Sequence, residues 1–123
     1  MHVILDFESG VPIYEQIEDE IRGQILAGKL KEGELLPSIR TLAKELKVGV
    51  ITAKRAYDDL CAEKFCYSVQ GKGVYVSKSD KAAAQNYVEN ELRARLKAVA
   101  GYAEKNSVDG KRLVELLKET LGK

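Results

Sequence analysis

The chain has 123 residues, 45% hydrophobic and 32% charged, and its 20 Lys and Arg against 19 Asp and Glu give a formal net charge of +1. That length holds one compact domain with a small appendage and excludes a second full domain. Total charge supplies no attraction for nucleic acid, so any such role must come from local charge.

Pro12-Ile13 opens a first helix, with proline expected at a first-turn position where its missing N–H costs nothing. Ile13, Ile17, Ile21 and Ile25 recur every four residues as one apolar face, and Gly28 stops the helix. Leu35-Leu36 is a short extended piece ahead of Pro37. Ser38 caps a second helix over about residues 39–46, with Leu42, Ala43 and Leu46 inward. Lys47-Val48-Gly49 is a tight turn. A third helix runs over about residues 50–63, with Ala53, Ala56, Tyr57 and Leu60 as its buried stripe. Residues 66–69 and 74–76 are two strands around Gln70-Gly71-Lys72-Gly73, a hairpin. Residues 77–80 form a polar junction. A fourth helix spans about 81–105, with Ala84, Val88, Leu92, Leu96, Val99 and Ala103 on one side. Ser107 is the expected cap of a last helix ending near Leu121, whose stripe is Leu113, Leu116, Leu117 and Leu121.

The expected fold class is therefore mostly α with a small β hairpin: a winged helix-turn-helix domain over 1–78 and a C-terminal helical dimerisation hairpin over 79–123. Charge is uneven along it. Residues 31–78 carry nine basic and six acidic side chains, whereas residues 1–30 carry two and six. In a helix-turn-helix the later helix enters the major groove and its N-terminal residues meet base edges. The buried stripe leaves Val50, Ile51, Lys54, Arg55 and Asp58 facing out. Lys72 at the hairpin tip lies between two glycines that let backbone approach a phosphate or groove wall.

Several separated pieces agree in order and spacing: Pro12-Ile13-Tyr14-Glu15-Gln16-Ile17, Gly28-Lys29-Leu30, Leu36-Pro37-Ser38-Ile39-Arg40, Leu42-Ala43, Thr52, Ala56-Tyr57, Leu60 and Gly71-Lys72-Gly73-Val74-Tyr75-Val76. Over residues 11–77 the chain resembles the GntR family of bacterial transcription regulators. Its short two-helix tail resembles the YtrA-like subfamily. The count of two cysteines fits a reduced cytoplasm. The resemblance implies a homodimeric repressor on double-stranded DNA, expected to read a palindromic operator. It also implies a small-molecule inducer, whose pocket is not legible. The exposed face of the third helix, the hairpin tip and the resemblance together give the expected DNA-binding residues as Ser38, Arg40, Val50, Ile51, Thr52, Lys54, Arg55, Gly71, Lys72 and Gly73. Among them, by the resemblance, Arg40 contacts DNA, Thr52 meets the backbone and Gly71 approaches the minor groove. The chain departs from the family at Gly49, where Ser or Asn is usual, at the apolar Val50-Ile51, and at Glu63-Lys64 in place of Glu-Gly. Apolar side chains in a groove contact thymine methyls but make no bidentate hydrogen bond to guanine.

Helices so apolar on one side need covering, and Val88, Leu92, Leu96, Val99, Leu113 and Leu117 are the expected dimer interface. Two rival classes draw on the same residues. A protein-interaction module is favoured by neutral charge and Val50-Ile51, and opposed by Arg40, Thr52, Lys54 and Lys72. A thiol- or metal-responsive sensor would use Cys61 and Cys66, which are too few for a disulfide framework or a four-thiolate zinc site. With His2 the single histidine, no Ser/His/Asp or Cys/His arrangement can be built, so neither an enzyme nor a cofactor is expected. No apolar run approaches a membrane span. The first residues lack the basic start, apolar core and cleavage site of a secretory signal.

Overall fold

The structure is a computed structural model that describes residues 1–78 and 81–122, with residues 81, 83 and 84 described by backbone alone. The expected domain boundary at 78/79, the end of the polar junction and the burial of Ala84 fall outside the described residues. The elements in order are α1 (Ile13–Leu26), α2 (Ile39–Leu46), α3 (Val50–Ala62), β1 (Cys66–Val69), β2 (Gly73–Val76), α4 (Lys81–Lys105) and α5 (Gly110–Thr120). The chain divides into two compact units, Met1–Ala84 and Gln85–Lys123.

In the first unit α3 packs against both α1 and α2. Ile17 and Ile21 meet Ala53, Ala56, Tyr57 and Leu60 in a core where each is at most 1% exposed. The two alanines let the helix backbones approach closely, and the isoleucines fill the space. Cys66↔Val76 and Ser68↔Val74 pair across the antiparallel hairpin, with Cys66 and Val76 buried. Alternation sends Tyr67 and Tyr75 to the other face, where their rings stack with centroids 5.6 Å apart. The extended piece before Pro37 adds to this hairpin. Leu36 N–H donates to the Val74 carbonyl, and Val76 N–H to the Glu34 carbonyl, both at 2.9 Å. The wing is thereby fastened to the loop that starts α2.

Pro12 sits one position earlier than expected, as the N-cap of α1, with its carbonyl accepting from Gln16 N–H. Gln16 then ties down the N-terminal segment. Its amide donates to the carbonyls of Asp6 and Val11, and its oxygen accepts from Asp6 N–H.

Four helices end in the same closure. The N–H two residues past each C-terminal turn reaches back to a carbonyl five residues earlier: Lys29 to Gln24, Val48 to Ala43, Phe65 to Leu60 and Val108 to Ala103. This geometry demands a left-handed residue between, which glycine adopts without strain. Gly28 fills that place after α1, but Lys47, Lys64 and Ser107 fill it elsewhere, at φ 57°, 67° and 62°. The expected capping role of Ser107 is corrected here. Ser107 is used up in closing α4, and Asp109 caps α5 by accepting from Arg112 N–H at 2.8 Å.

In the second unit Ala103 is the one buried side chain among the described residues. Val88 and Leu113 are half-buried. Leu92, Leu96, Val99 and Leu117 are 45–51% exposed. Among the described residues no helix is long and apolar enough to cross a membrane.

Candidate nucleic-acid interface

Ser38 starts α2. Its Oγ accepts from Thr41 N–H at 3.1 Å and its hydroxyl donates to Thr41 Oγ1 at 2.9 Å. The cap satisfies one of the orphan donors of the first turn. It also fixes where Arg40, the second residue of α2, leaves the helix. Arg40 is exposed, and its guanidinium has no ion-pair partner among the described residues. The cap loop is held from below. Tyr57, buried on α3, donates its hydroxyl to the Pro37 carbonyl at 2.7 Å. The residues from Pro37 to Ile39, Tyr57 and the wing from Ser68 to Val74 together line a cleft of about 320 Å³. Ser38, Gly71, Lys72 and Gly73 are thus brought to one place.

The turn into α3 ends at Gly49, an extended N-cap without a side-chain bond. Val50 and Ile51 open the helix at 51% and 85% exposure, although the chain buries its other α-helical isoleucines in the same unit to half or more. Thr52 is half-buried one residue on. Lys54 pairs with Asp58 at 2.6 Å, both well exposed. Such a pair is worth little in water, so a phosphate can displace the carboxylate at small cost. Arg55 is held differently: its guanidinium carbon lies 3.8 Å from the centroid of the Tyr14 ring, and its Nε lies 3.8 Å from Asp59.

At the wing tip Lys72 N–H donates to the Val69 carbonyl at 3.0 Å, closing the turn. Gly71 has φ 77° and Gly73 φ 129°. A Cβ on Gly73 would also stand 3.1 Å from Leu35 Cδ1. Lys72 projects exposed between them.

An ionic cluster joins α1 to the C-terminal end of α3. Arg22 reaches Glu63 at 2.7 Å, Asp19 at 2.8 Å and Glu18 at 3.9 Å, and lies over the Phe65 ring. Glu18 is 6% exposed. Burial, then the neighbouring carboxylates of Asp59 and Glu63, push its carboxyl up to about 8 against the pull of Arg22. Sequence reasoning missed this cluster. Glu18 and Arg22 stand one position beyond the isoleucine stripe at a spacing of four, which marks them as neighbours, but nothing local places Glu63 beside them. The roles of Tyr14 and Tyr57 were missed as well, although the spacing of Lys54-Asp58 and Arg55-Asp59 was legible.

The thiols are poorly placed for redox sensing. Burial pushes the Cys66 thiol up to about 12 and raises that of Cys61 as well, so the reactive thiolate is scarce. Among the described residues no group of three or more His, Cys, Asp or Glu is gathered to hold a metal ion.

A helix-turn-helix that exposes Arg40, Lys54 and Arg55, flanked by a glycine-tipped two-stranded wing, defines a winged-helix DNA-binding module. Residues 13–76 match the family described as bacterial regulatory proteins, gntR family. The chain belongs to the GntR family and is a DNA-binding transcriptional regulator. It is 31% identical over 115 residues to the HTH-type transcriptional repressor YtrA of Bacillus subtilis, covering 94% of this chain and 88% of that one. It is 40% identical over 67 residues to the mannosyl-D-glycerate transport/metabolism system repressor MngR of Escherichia coli. There the match covers 54% of this chain and 28% of that one. Among solved structures, a GntR family transcriptional regulator from Listeria monocytogenes superposes with a TM-score of 0.73 at 27% identity, covering 92% of this chain and 98% of that one. The DNA-binding domain of AraR in complex with operator ORR3 superposes with a TM-score of 0.53 at 31% identity, covering 63% of this chain and 93% of that one.

Proposed function

We propose that this regulator is a cytoplasmic repressor that occupies a palindromic operator as a homodimer, blocking promoter access until an inducer changes the spacing of its two reading heads. The observation that carries the reading is the gathering of Ser38, Gly71, Lys72 and Gly73 at one cleft, where α2 begins and Arg40 projects exposed, together with Val50 and Ile51 standing 51% and 85% exposed in the first turn of α3. Two large apolar side chains at the free end of a helix match a major groove lined with thymine methyls. Arg40 on α2, Lys54 and Arg55 on α3 and Lys72 at the wing tip add positive charge beside it, Arg40 suited to a base edge and the others to phosphates. Ser38, Thr52, Gly71 and Gly73 supply hydroxyl and backbone contacts at close approach.

The homodimer is supported by the second unit. Leu92, Leu96, Val99 and Leu117, with Val88 and Leu113 half-buried beside them, leave an apolar face, and a second copy of the same face covers it by two-fold symmetry. Such symmetry presents two heads to two half-sites. The repressor of Bacillus subtilis named above, matched along nearly all of this chain, supports the negative sign of regulation.

Selection of bound sites from random-sequence duplex DNA tests the reading. We expect an inverted repeat whose half-sites carry A·T pairs under α3. Enrichment of a single unrepeated site overturns the two-fold model, and no enrichment overturns sequence-specific reading.

A further inference from the structure

We propose that Tyr14 is a positioning residue for DNA binding: its ring is the platform on which Arg55 is preset to grip a phosphate. The proposal rests on the reading above that Arg55 faces DNA. Tyr14 is the second residue of α1, half-buried, and Arg55 lies on the neighbouring α3. The guanidinium stands 3.8 Å from the ring centroid, close enough for face-on stacking.

The stacking decides what Arg55 can still do. One face of the guanidinium is occupied by the ring, and its Nε is turned toward Asp59 at 3.8 Å. That separation is too long for a hydrogen bond, so Asp59 orients the group by charge alone. The side chain as a whole is 59% exposed, so the group stays within reach of a ligand from solvent. An arginine so held suits a phosphate, which accepts in-plane N–H donors. It is poorly suited to base reading, because reaching into the groove would require leaving the ring. Lys54, one residue earlier, has no such platform and pairs within its own helix. The two adjacent cations therefore differ: Lys54 is held by a single exposed ion pair that a phosphate displaces, whereas Arg55 rests on a ring, is preset, and loses less conformational freedom on binding.

The test uses the full chain and a random-sequence duplex as probe, with affinity read across a salt series. Arg55→Ala should weaken binding and lower the salt slope by about one, as for one lost phosphate contact. Tyr14→Phe should bind like the parent, because it keeps the ring. Tyr14→Leu should weaken binding by about two- to fivefold, and by nothing further in the Arg55→Ala background. Tyr14→Met, flexible and apolar without a ring, serves if the leucine variant does not fold; melting of each variant reports the fold. Equal losses from Tyr14→Leu in both backgrounds overturn the proposal, as does Tyr14→Phe binding as weakly as Tyr14→Leu, which would assign the contact to the hydroxyl. Tighter binding by Tyr14→Leu overturns it too, since the ring would then be holding Arg55 away from DNA. If Arg55→Ala alone changes neither affinity nor slope, the failure lies in the DNA-facing reading of Arg55 and not in its coupling to Tyr14.

Discussion

Arg40 and Lys72 are both exposed cations, but their settings differ. Arg40 leaves the first turn of a capped helix whose position is fixed by the Ser38 cap and the Tyr57 bond to Pro37. A fixed departure point suits base reading, so Arg40→Ala should lose on the order of 1–3 kcal/mol of operator binding with the fold retained. Gel-shift affinity equal to the parent would remove Arg40 from the site. Lys72 stands at a wing tip between two left-handed glycines. Lys72→Ala should weaken binding to every sequence alike and reduce the salt slope by about one. A slope unchanged in salt titration would show that Lys72 is not on a phosphate.

Glu18 is the residue at which pH enters. Its carboxyl is raised in the fold to about 8, so the folded state prefers the protonated form. That preference stabilises the protein fully below the ordinary carboxyl range and is lost as pH rises through about 8. Thermal stability should therefore fall between about pH 5 and pH 8, and Glu18→Gln, which stays neutral, should flatten the fall. Parallel melting curves for parent and variant across that range would rule Glu18 out as the cause.

Among the elements, the helix ends carry the clearest strain. The same six-residue closure needs a left-handed residue, and α3 supplies Lys64 for it at φ 67°. A side chain in that conformation costs about 1–2 kcal/mol, partly offset by the greater freedom glycine has when unfolded. Lys64 is exposed. Lys64→Gly should thus raise stability by about 0.5–1 kcal/mol, measured by urea unfolding. A loss of stability would mean that Lys64 makes a compensating contact. The position is the one where the chain departs from the Glu-Gly pattern of the family it resembles, and the left-handed backbone gives that departure a cost in stability. The closure of α4 at Ser107 has the same logic and moves the cap of α5 to Asp109.

For the whole molecule, the proposed dimer rests on the second unit. A winged unit of this size buries its own core, whereas the second unit buries Ala103 alone among its described residues. Leu96, 50% exposed on α4, is at the middle of the bare face. Leu96→Glu places a charge where a partner copy would bury it, at a cost no pairing relieves. The variant should sediment as a monomer with its winged unit intact. Its operator affinity should drop steeply, because the second half-site contact is no longer intramolecular. A stable dimer at micromolar concentration would put the interface elsewhere.

The helices, the hairpin and the buried stripe of α3 were legible because each depends on spacing within one segment. Ile17, Ile21 and Ile25 recur at helical period, Gly71 to Gly73 break two β-branched runs, and Ser38 precedes a helix it caps. The family pattern was legible for the same reason, being a set of local signals in fixed order. What tertiary structure alone decided involves pairs far apart in sequence. Arg22 meets Glu63, Tyr57 meets Pro37, Arg55 meets Tyr14, and the extended piece from Glu34 to Leu36 joins the wing. No periodicity encodes such pairs, because they arise only when packing of α1 and α2 on α3 brings separate faces into contact. The cap of α5 was missed for a related reason. Ser107 and Asp109 are both good caps by residue type, and only the left-handed closure of the preceding helix, which Ser107 adopts, decides between them.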